Sequence, residues 1–166
     1  MAEYRKATIQ DLERLWNTNI AENPDDPRWA SWKQEYISIN QTGKACTFAV
    51  VIDGEPVGEG TLLFSPDCSA ISGRTDLAAS SAIAGNVTAN INALRIRKPY
   101  EGQGHISTLV RLMEAYAAEH GITRLTIGVE AKETRNLAIY LHWGYTDFVT
   151  HAIEDGELVL YYAKNL

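Results

Sequence analysis

Basic side chains and long apolar runs are scarce in this sequence, and each scarcity argues against a class of protein. The chain has 15 lysines and arginines against 21 acidic residues, for a net charge of -6. A nucleic-acid binder needs a basic face that neutralises phosphates, so this balance argues against one. No apolar run is long enough to span a membrane, and the polar residues 3–6 argue against a signal peptide.

Cysteine is also rare, with only Cys46 and Cys68 present. The two lie far apart and lack the close spacing of a metal site, so we expect no bound metal. We expect both to be small buried or loop residues of a reduced, cytoplasmic protein. The 45% hydrophobic content is ordinary for a soluble chain, and the length predicts a single domain over residues 1–166.

Hydrophobic periodicity and turn residues predict an α/β layer with a mixed sheet. The predicted order is β-α-α-β-β-β-α-β-α-β-β. Asp53-Gly54 and Asp155-Gly156 mark hairpin turns. A long loop rich in small residues covers 65–85 and is of the kind that is functional or mobile. The predicted elements are a strand at 3–7, a helix opened by Thr8 or Gln10-Asp11, a helix at about 28–40, strands at 45–52, 55–64 and 87–97, a helix from Ile106 to Gly121, a strand at 125–129, a helix at about 134–143, and strands at 145–153 and 158–163.

The segment from Leu94 to Leu109 combines a strand, a glycine turn and a helix start. Pro99 ends the strand, and Gly102 and Gly104 bend the chain before the helix. This geometry presents free backbone amides to an anion, and a diphosphate is the anion we expect. The alternative is ordinary turn chemistry. A dinucleotide fingerprint would need a third glycine where Ser107 stands, and no Walker sequence occurs.

A second group of residues strengthens the diphosphate interpretation. Asn136 and Tyr140 lie four apart on one helix face, and Gly144 turns the chain into Tyr145 and a final strand. Together with the glycine turn, this pattern resembles the GNAT superfamily of acyl-CoA-dependent N-acyltransferases. The resemblance implies a mixed, mostly antiparallel sheet with a central splayed parallel strand pair and helices on both faces.

The resemblance further implies an N-acetyltransferase that moves an acetyl group from acetyl-CoA to a primary amine by direct transfer. The alternative is a non-catalytic or weakly catalytic acyl-CoA-binding module. Two departures from the family pattern favour that alternative. Glu101 replaces a cationic or amide residue, and Ile106 replaces a small one.

By the same resemblance, backbone amides of the glycine turn hold the CoA diphosphate, and the strand before it pairs with the pantetheine chain. Asn136 reaches the pantetheine or caps a buried polar group. The predicted cofactor residues are Leu94, Ile96, Arg97, Gly102, Gln103, Gly104, His105, Ile106, Ser107 and Asn136.

Tyr140 matches the family tyrosine that protonates the departing CoA thiolate, although a helix tyrosine is also a common core residue. Glu59 and Glu130 are the strand carboxylates available as a general base. A solvated surface glutamate is the alternative at both positions. Asn90 and Asn92, at alternate positions on one strand, are predicted to line the acceptor site by hydrogen bonding.

In this family, acceptor specificity depends largely on the first helix pair and the variable loops. Asp25 and Asp26 stand here beside Trp29 and Trp32, a combination that suits a cationic amine. The alternative is a solvated turn next to two core tryptophans. The predicted partner is a small-molecule or peptide amine, and the closing hairpin offers a surface for a homodimer.

Overall fold

In a computed structural model, residues 1–79 and 87–166 are described. The predicted order of elements is confirmed, with one added 3-10 turn at Lys98–Tyr100. The described elements are β1 (Ala2–Lys6), α1 (Ile9–Glu22), α2 (Arg28–Gln41), β2 (Ala45–Ile52), β3 (Glu55–Leu63), β4 (Thr88–Ile96), α3 (His105–Glu119), β5 (Arg124–Glu130), α4 (Thr134–His142), β6 (Asp147–Glu154) and β7 (Glu157–Asn165).

Within the described ranges, seven strands form one mixed sheet in the order β1-β2-β3-β4-β5-β7-β6. The pairs β1–β2, β5–β7 and β6–β7 are antiparallel, whereas β4 and β5 run parallel. The parallel register joins Thr88–Ile91 to Arg124–Ile127, although β4 continues to Ile96. The fold class predicted from the sequence, a mostly antiparallel sheet with one parallel pair, is confirmed.

The chain divides into two compact units. One comprises Met1–Leu62 with Ala93–Ala115, and the other comprises Leu63–Asn92 with Tyr116–Leu166. Strand β4 and helix α3 each contribute residues to both units. The prediction of one domain over residues 1–166 stays a prediction.

Helix α1 begins at a capping box, one of the two starts that the sequence offered. Thr8 Oγ1 accepts from the Asp11 amide at 3.0 Å, and Asp11 Oδ2 accepts from the Thr8 amide at 2.9 Å. Behind this cap, the apolar face of the helix buries Leu12, Leu15 and Trp16. Each such buried side chain stabilises the fold by about 1.5–3 kcal/mol.

The first unit packs helices on both faces of β3. The buried Glu59 side chain contacts Asn19 of α1. On the next residue, Gly60, a Cβ atom would lie 2.8 Å from both Leu94 Cδ1 and Met113 Sδ of α3. Since successive strand residues point to opposite faces, α1 and α3 lie on opposite faces of this strand. Gly60 is therefore the residue that lets α3 approach.

The second unit has its core around β5 and the turn after α4. Leu125, Ile127 and Tyr145 are buried, and the Tyr145 amide closes α4 by donating to the Tyr140 carbonyl at 3.0 Å. Gly144, the last residue before Tyr145, has φ +99°. A residue with a side chain is strained in that backbone region, so the predicted glycine stop of α4 has a steric reason.

Several predicted boundaries shift by one or two residues. The predicted long loop at 65–85 contains turns but no helix or strand over 65–79, and its residues 80–86 lie outside the described residues. Both cysteines are buried, and neither forms a disulfide bond within the described residues. None of the described helices combines the length and apolar character that a membrane crossing requires.

Candidate active site

The glycine turn before α3 presents a run of unused backbone donors. Gly102 and Gly104 have φ values of +73° and +82°, and a Cβ atom at either would meet nothing within 4 Å. The amides of residues 102–107 donate to no acceptor in the described part of the chain. Successive free amides that open a helix form a concave anion site with favourable dipole orientation. The local geometry therefore suits a diphosphate, as the sequence predicts.

A chain of side-chain hydrogen bonds fixes this turn. Gln103 Nε2 donates to the Pro99 carbonyl at 3.3 Å, and its Oε1 lies 3.3 Å from His105 Nε2. The other ring nitrogen of His105, Nδ1, lies 2.7 Å from the Tyr4 hydroxyl of β1. The first residue of α3 is thus held by a strand at the start of the chain. Sequence analysis missed Tyr4, because nothing local links it to a residue 101 positions away.

The two departures from the family pattern lie at this turn. Glu101 is exposed, and its amide donates to the Lys98 carbonyl at 3.2 Å. Ile106 is half-buried in the first turn of α3, where Ser107 Oγ accepts from Arg111. Because its amide is already used, Glu101 adds only a nearby negative charge to the anion site.

Ala93 gives β4 an irregular backbone just before the predicted pantetheine edge. Its φ is +54°, whereas the other positive-φ residues with side chains in residues 1–79 and 87–166, Asp53 and Asp155, lie in hairpin turns. Such a conformation costs about 1–3 kcal/mol and often marks a functional site. Leu94 and Ile96 follow it and are half-buried. No sequence signal identifies Ala93, since alanine carries no preference for this conformation.

Tyr140 is half-buried on α4, with its ring 5.6 Å from that of Trp143. Burial raises the pKa of Tyr140, and the nearby Glu133 carboxylate raises it further. Its hydroxyl makes no hydrogen bond within the described residues. Tyr140 is therefore protonated at neutral pH with its proton available to a ligand. Asn136, one turn earlier, is exposed.

Glu59, one predicted base, lies in a polar cluster on the α1 face of β3. Its side chain is 2% exposed. Oε2 accepts from Asn19 Nδ2 at 3.0 Å, and Oε1 lies 3.5 Å from Arg95 Nη2. Sequence analysis considered a solvated surface glutamate as the alternative here, and the burial rules that alternative out. The same burial speaks against direct contact between Glu59 and an amine.

Arg95 lies against two tryptophan rings in the same cluster. Its guanidinium carbon is 5.0 Å from the Trp16 ring centroid and 5.1 Å from that of Trp29. Arg97, the residue that follows β4, donates from Nη2 to Thr18 Oγ1 at 2.6 Å. The guanidinium of Arg97, predicted to help bind the diphosphate, is therefore held at α1. Arg95 is absent from the residues that the sequence predicts for the site.

Three of the predicted acceptor-binding residues, Asp26, Trp29 and Trp32, already contact arginine side chains. Arg28 Nη2 donates to Asp26 Oδ2 at 2.8 Å, and its guanidinium carbon lies 5.1 Å from the Trp32 ring centroid. Arg28 also lowers the pKa of Asp26 through its side-chain hydrogen bonds. Trp29 is covered by Arg95, and Asp25 is exposed. These contacts leave fewer open positions for a cationic acceptor than the sequence suggests.

The remaining predicted residues belong to the second unit. Asn90 is fully buried, and its Nδ2 donates to Thr126 Oγ1 at 2.9 Å. Asn92 is half-buried. Glu130 lies 3.6 Å from Lys132 Nζ, with a 41% exposed side chain. Glu130 thus fits the solvated alternative, and Asn90 fits a structural role in the parallel pair. The described residues contain no cluster of His, Cys, Asp or Glu that would hold a metal ion.

Comparison with known proteins adds a family and a fold. The family model described as the acetyltransferase (GNAT) family matches residues 7–145. No curated protein matches the sequence. Among solved structures, similar folds occur in an N-acetyltransferase from Staphylococcus aureus (TM-score 0.71, 14% identity, covering 99% of this chain and 98% of that one), and in a ribosomal-protein-alanine N-acetyltransferase from Brucella melitensis (0.70, 16%, 99% and 99%). Another is PaiA N-acetyltransferase from Thermoplasma acidophilum, solved with coenzyme A (0.61, 18%, 100% and 99%).

Proposed function

Because this chain belongs to the acetyltransferase (GNAT) family, and is thus an acyl-CoA-dependent acetyltransferase, we propose that it transfers an acetyl group from acetyl-CoA directly to a primary amine. The observation that carries the proposal is the run of free amides at 102–107, which opens α3 at the position expected for the CoA diphosphate. A hydrogen bond from an amide to a charged group contributes roughly 1.5–3 kcal/mol. A few such bonds suffice for cofactor binding.

The backbone of β4 is the part of the chain that we assign to the pantetheine and the thioester. Ala93 redirects the strand immediately before Leu94 and Ile96. We propose that backbone groups at Leu94 and Ile96 pair with the pantetheine, and that an amide near Leu94 polarises the thioester carbonyl. A fixed donor of this kind stabilises the negative charge that develops on the oxygen as the amine attacks.

Tyr140 is assigned the role of general acid. The amine nitrogen forms a bond to the thioester carbon, the carbon–sulfur bond breaks, and the Tyr140 hydroxyl gives its proton to the departing sulfur. The raised pKa of Tyr140 keeps that proton in place at neutral pH. A thiol has an ordinary pKa of about 8.5, below that of the phenol, so the transfer relies on a preformed hydrogen bond.

The two carboxylates predicted as general base are already engaged by other side chains. Glu59 is buried with both oxygens in polar contacts, and Glu130 lies beside Lys132. We therefore propose that the amine binds in its neutral form and, after attack, loses one N–H proton to water, which returns a proton to the Tyr140 phenolate. The alternative function, an acyl-CoA-binding module, would bind acetyl-CoA without transferring its acetyl group to an amine.

Calorimetry with acetyl-CoA, combined with a thiol-release assay over a panel of primary amines, tests the proposal. We expect saturable binding and amine-dependent release of CoA. Binding without turnover on any amine would favour the binding module, and absence of binding would contradict both functions.

Pairing of two copies through the β6–β7 hairpin is a separate proposal. Phe148, Ile153 and Leu158 of this hairpin are exposed by 54%, 69% and 40%. Strand β6 lies at the edge of the sheet, where a second chain has access to it. Light scattering on Ile153→Lys and the unmodified chain would show whether this edge forms a dimer.

A further inference from the structure

Arg95 near the end of β4 and Arg97, whose extended backbone follows the strand, present two guanidinium groups on one side of the chain. They are two positions apart in extended backbone, so their side chains point to the same side, about 7 Å apart along the chain. The contacts of the two side chains support this placement, because Arg95 contacts Trp16 and Arg97 contacts Thr18, and both of these residues are on α1. This is the face of the sheet covered by the helix pair that the family resemblance assigns to acceptor selection.

Most of the donors on these two groups are unused. A guanidinium has five N–H donors. Within the described ranges, Arg95 makes one hydrogen bond, to Glu59, and Arg97 makes one, to Thr18. The Nε atoms of both are buried and have no partner in the described residues. Because both Nε atoms are buried, a ligand oxygen would bind at the unused Nη donors, where a charge-assisted hydrogen bond stabilises the complex.

The Arg95 guanidinium is also held in one place. Trp16 and Trp29 cover it at 5.0 and 5.1 Å, and the Glu59 carboxylate, itself held by Asn19, contacts Nη2. The Arg95 side chain is nevertheless 32% exposed, whereas that of Glu59 is 2% exposed. A ligand can thus reach the arginine but not the carboxylate behind it. A guanidinium fixed in this way loses little side-chain entropy when it binds a ligand.

We propose that the amine acceptor carries a carboxylate, and that this carboxylate binds to Arg95 and Arg97. The proposal rests on the proposed function, because it names the substrate class of that enzyme. The fork of a guanidinium matches the two oxygens of a carboxylate. Two arginines and one glutamate leave the cluster with a single positive charge, which matches a monoanion better than a phosphate dianion. Glu59 and Asn19 act as positioning residues for Arg95.

The test compares ω-amino acids of increasing length with their carboxamides, whose amines have similar basicity. We expect kcat/KM for thiol release to favour the carboxylate by about 10- to 100-fold at the best length, as for a charge-assisted hydrogen bond. Arg95→Gln and Arg97→Gln should bring this ratio close to one. Arg14→Gln, which removes an exposed arginine paired with Glu55, is the matched control and should keep the full ratio.

Arg95→Lys is the control for misfolding. Lysine keeps the positive charge and an aliphatic chain, but it cannot bind both oxygens of a carboxylate in the way that a guanidinium does. The ratio of kcat/KM for the carboxylate to kcat/KM for the carboxamide should fall, in Arg95→Lys, between the values for the unmodified protein and Arg95→Gln. Equal kcat/KM for carboxylates and carboxamides, or a ratio unchanged in Arg95→Gln, would overturn the proposal while leaving amine acetylation intact. A preference for phosphonate over carboxylate acceptors would overturn the choice of a monoanion.

Tryptophan fluorescence separates failure of this inference from failure of the enzyme assignment. Arg95 contacts Trp16 and Trp29, so a bound carboxylate should change their emission in the unmodified protein and not in Arg95→Gln. If no amine is turned over but this change occurs, the carboxylate site stands and the transferase proposal fails. Absence of the change over the same concentrations contradicts the carboxylate site.

Discussion

The Tyr4 hydroxyl lies 2.7 Å from Nδ1 of His105, so the first strand of the chain is bonded to the first residue of α3. The contact matters because His105 belongs to the run of residues whose amides are free to bind an anion. His105 also meets Gln103 through its other nitrogen. A residue outside every motif therefore helps to shape the predicted diphosphate site.

Tyr4→Phe should weaken acetyl-CoA binding without changing the chemical step. Loss of one hydrogen bond to a half-buried histidine corresponds to an increase of about 2- to 10-fold in KM for acetyl-CoA, with kcat nearly unchanged. Steady-state kinetics would show it. Tyr100→Phe is the control, since no hydrogen bond of its hydroxyl occurs in the described chain. A fall in kcat with constant KM would contradict this role for Tyr4.

Gly104→Ala should impair cofactor binding more than it impairs folding. The φ of +82° strains any residue with a Cβ atom and costs about 1 kcal/mol or more. Gly121→Ala is a close control, because it has φ +78° and equally open surroundings at the other end of α3. Thermal unfolding should give similar losses for the two variants. Calorimetry should show weaker acetyl-CoA binding for Gly104→Ala alone. Equal acetyl-CoA affinities for Gly104→Ala and Gly121→Ala would contradict a role for the glycine turn in cofactor binding.

Tyr140→Phe should lower kcat by about 100-fold or more while leaving acetyl-CoA affinity within about twofold. Burial raises the pKa of Tyr140, so the acid form persists through its ordinary value of 10.0 and is lost only at higher pH. The alkaline decline of kcat due to this group should therefore lie above pH 10. Tyr162→Phe on β7 serves as the control. Unchanged turnover in Tyr140→Phe would remove the residue from the mechanism.

Asp11→Asn should destabilise the fold in a manner that depends on pH. Burial works against the charged form of Asp11, but hydrogen bonds from Thr8 and Arg5 outweigh it and lower the pKa below 3.8. The stabilisation is therefore fully present above about pH 4 and is lost as the pH falls through the lower, folded-state pKa. Near neutrality we expect a cost of about 1–3 kcal/mol.

Urea unfolding of Asp11→Asn and the unmodified protein at neutral and acidic pH measures this difference. The two free energies of unfolding should converge in acid. Glu55→Gln, a change in an exposed ion pair with Arg14, should stay within about 0.5 kcal/mol at every pH. A difference for Asp11→Asn that is constant with pH would contradict the assigned hydrogen bonds.

Local signals in the sequence predict most of the fold. Asp53-Gly54 and Asp155-Gly156 adopt the paired positive φ values of tight hairpin turns, and the capping residue Thr8 opens α1. These features depend on residues a few positions apart, for which turn chemistry and helix capping are sufficient. The fold class follows because the order of such elements restricts the connections available to a mixed sheet.

The details of the site depend on contacts that local reasoning does not reach. Glu59 looks like a surface glutamate because burial of a charge is costly, yet Asn19 and Arg95, both distant in sequence, provide its partners. Ala93 adopts its positive φ through its surroundings, not through its own preference. The motif predicts that Arg97 binds the cofactor, whereas its side chain contacts Thr18.

Transfer of a labelled acetyl group tests the central claim most directly. Acetyl-CoA labelled in the acetyl group is incubated with the protein and a reactive amine, and the label is followed in the amine, the protein and water. We predict one acetylated amine for each CoA thiol released, and no label on the protein at any time. Label that appears on the protein before the amine, or thiol release that yields only acetate, would contradict direct acetyl transfer to an amine.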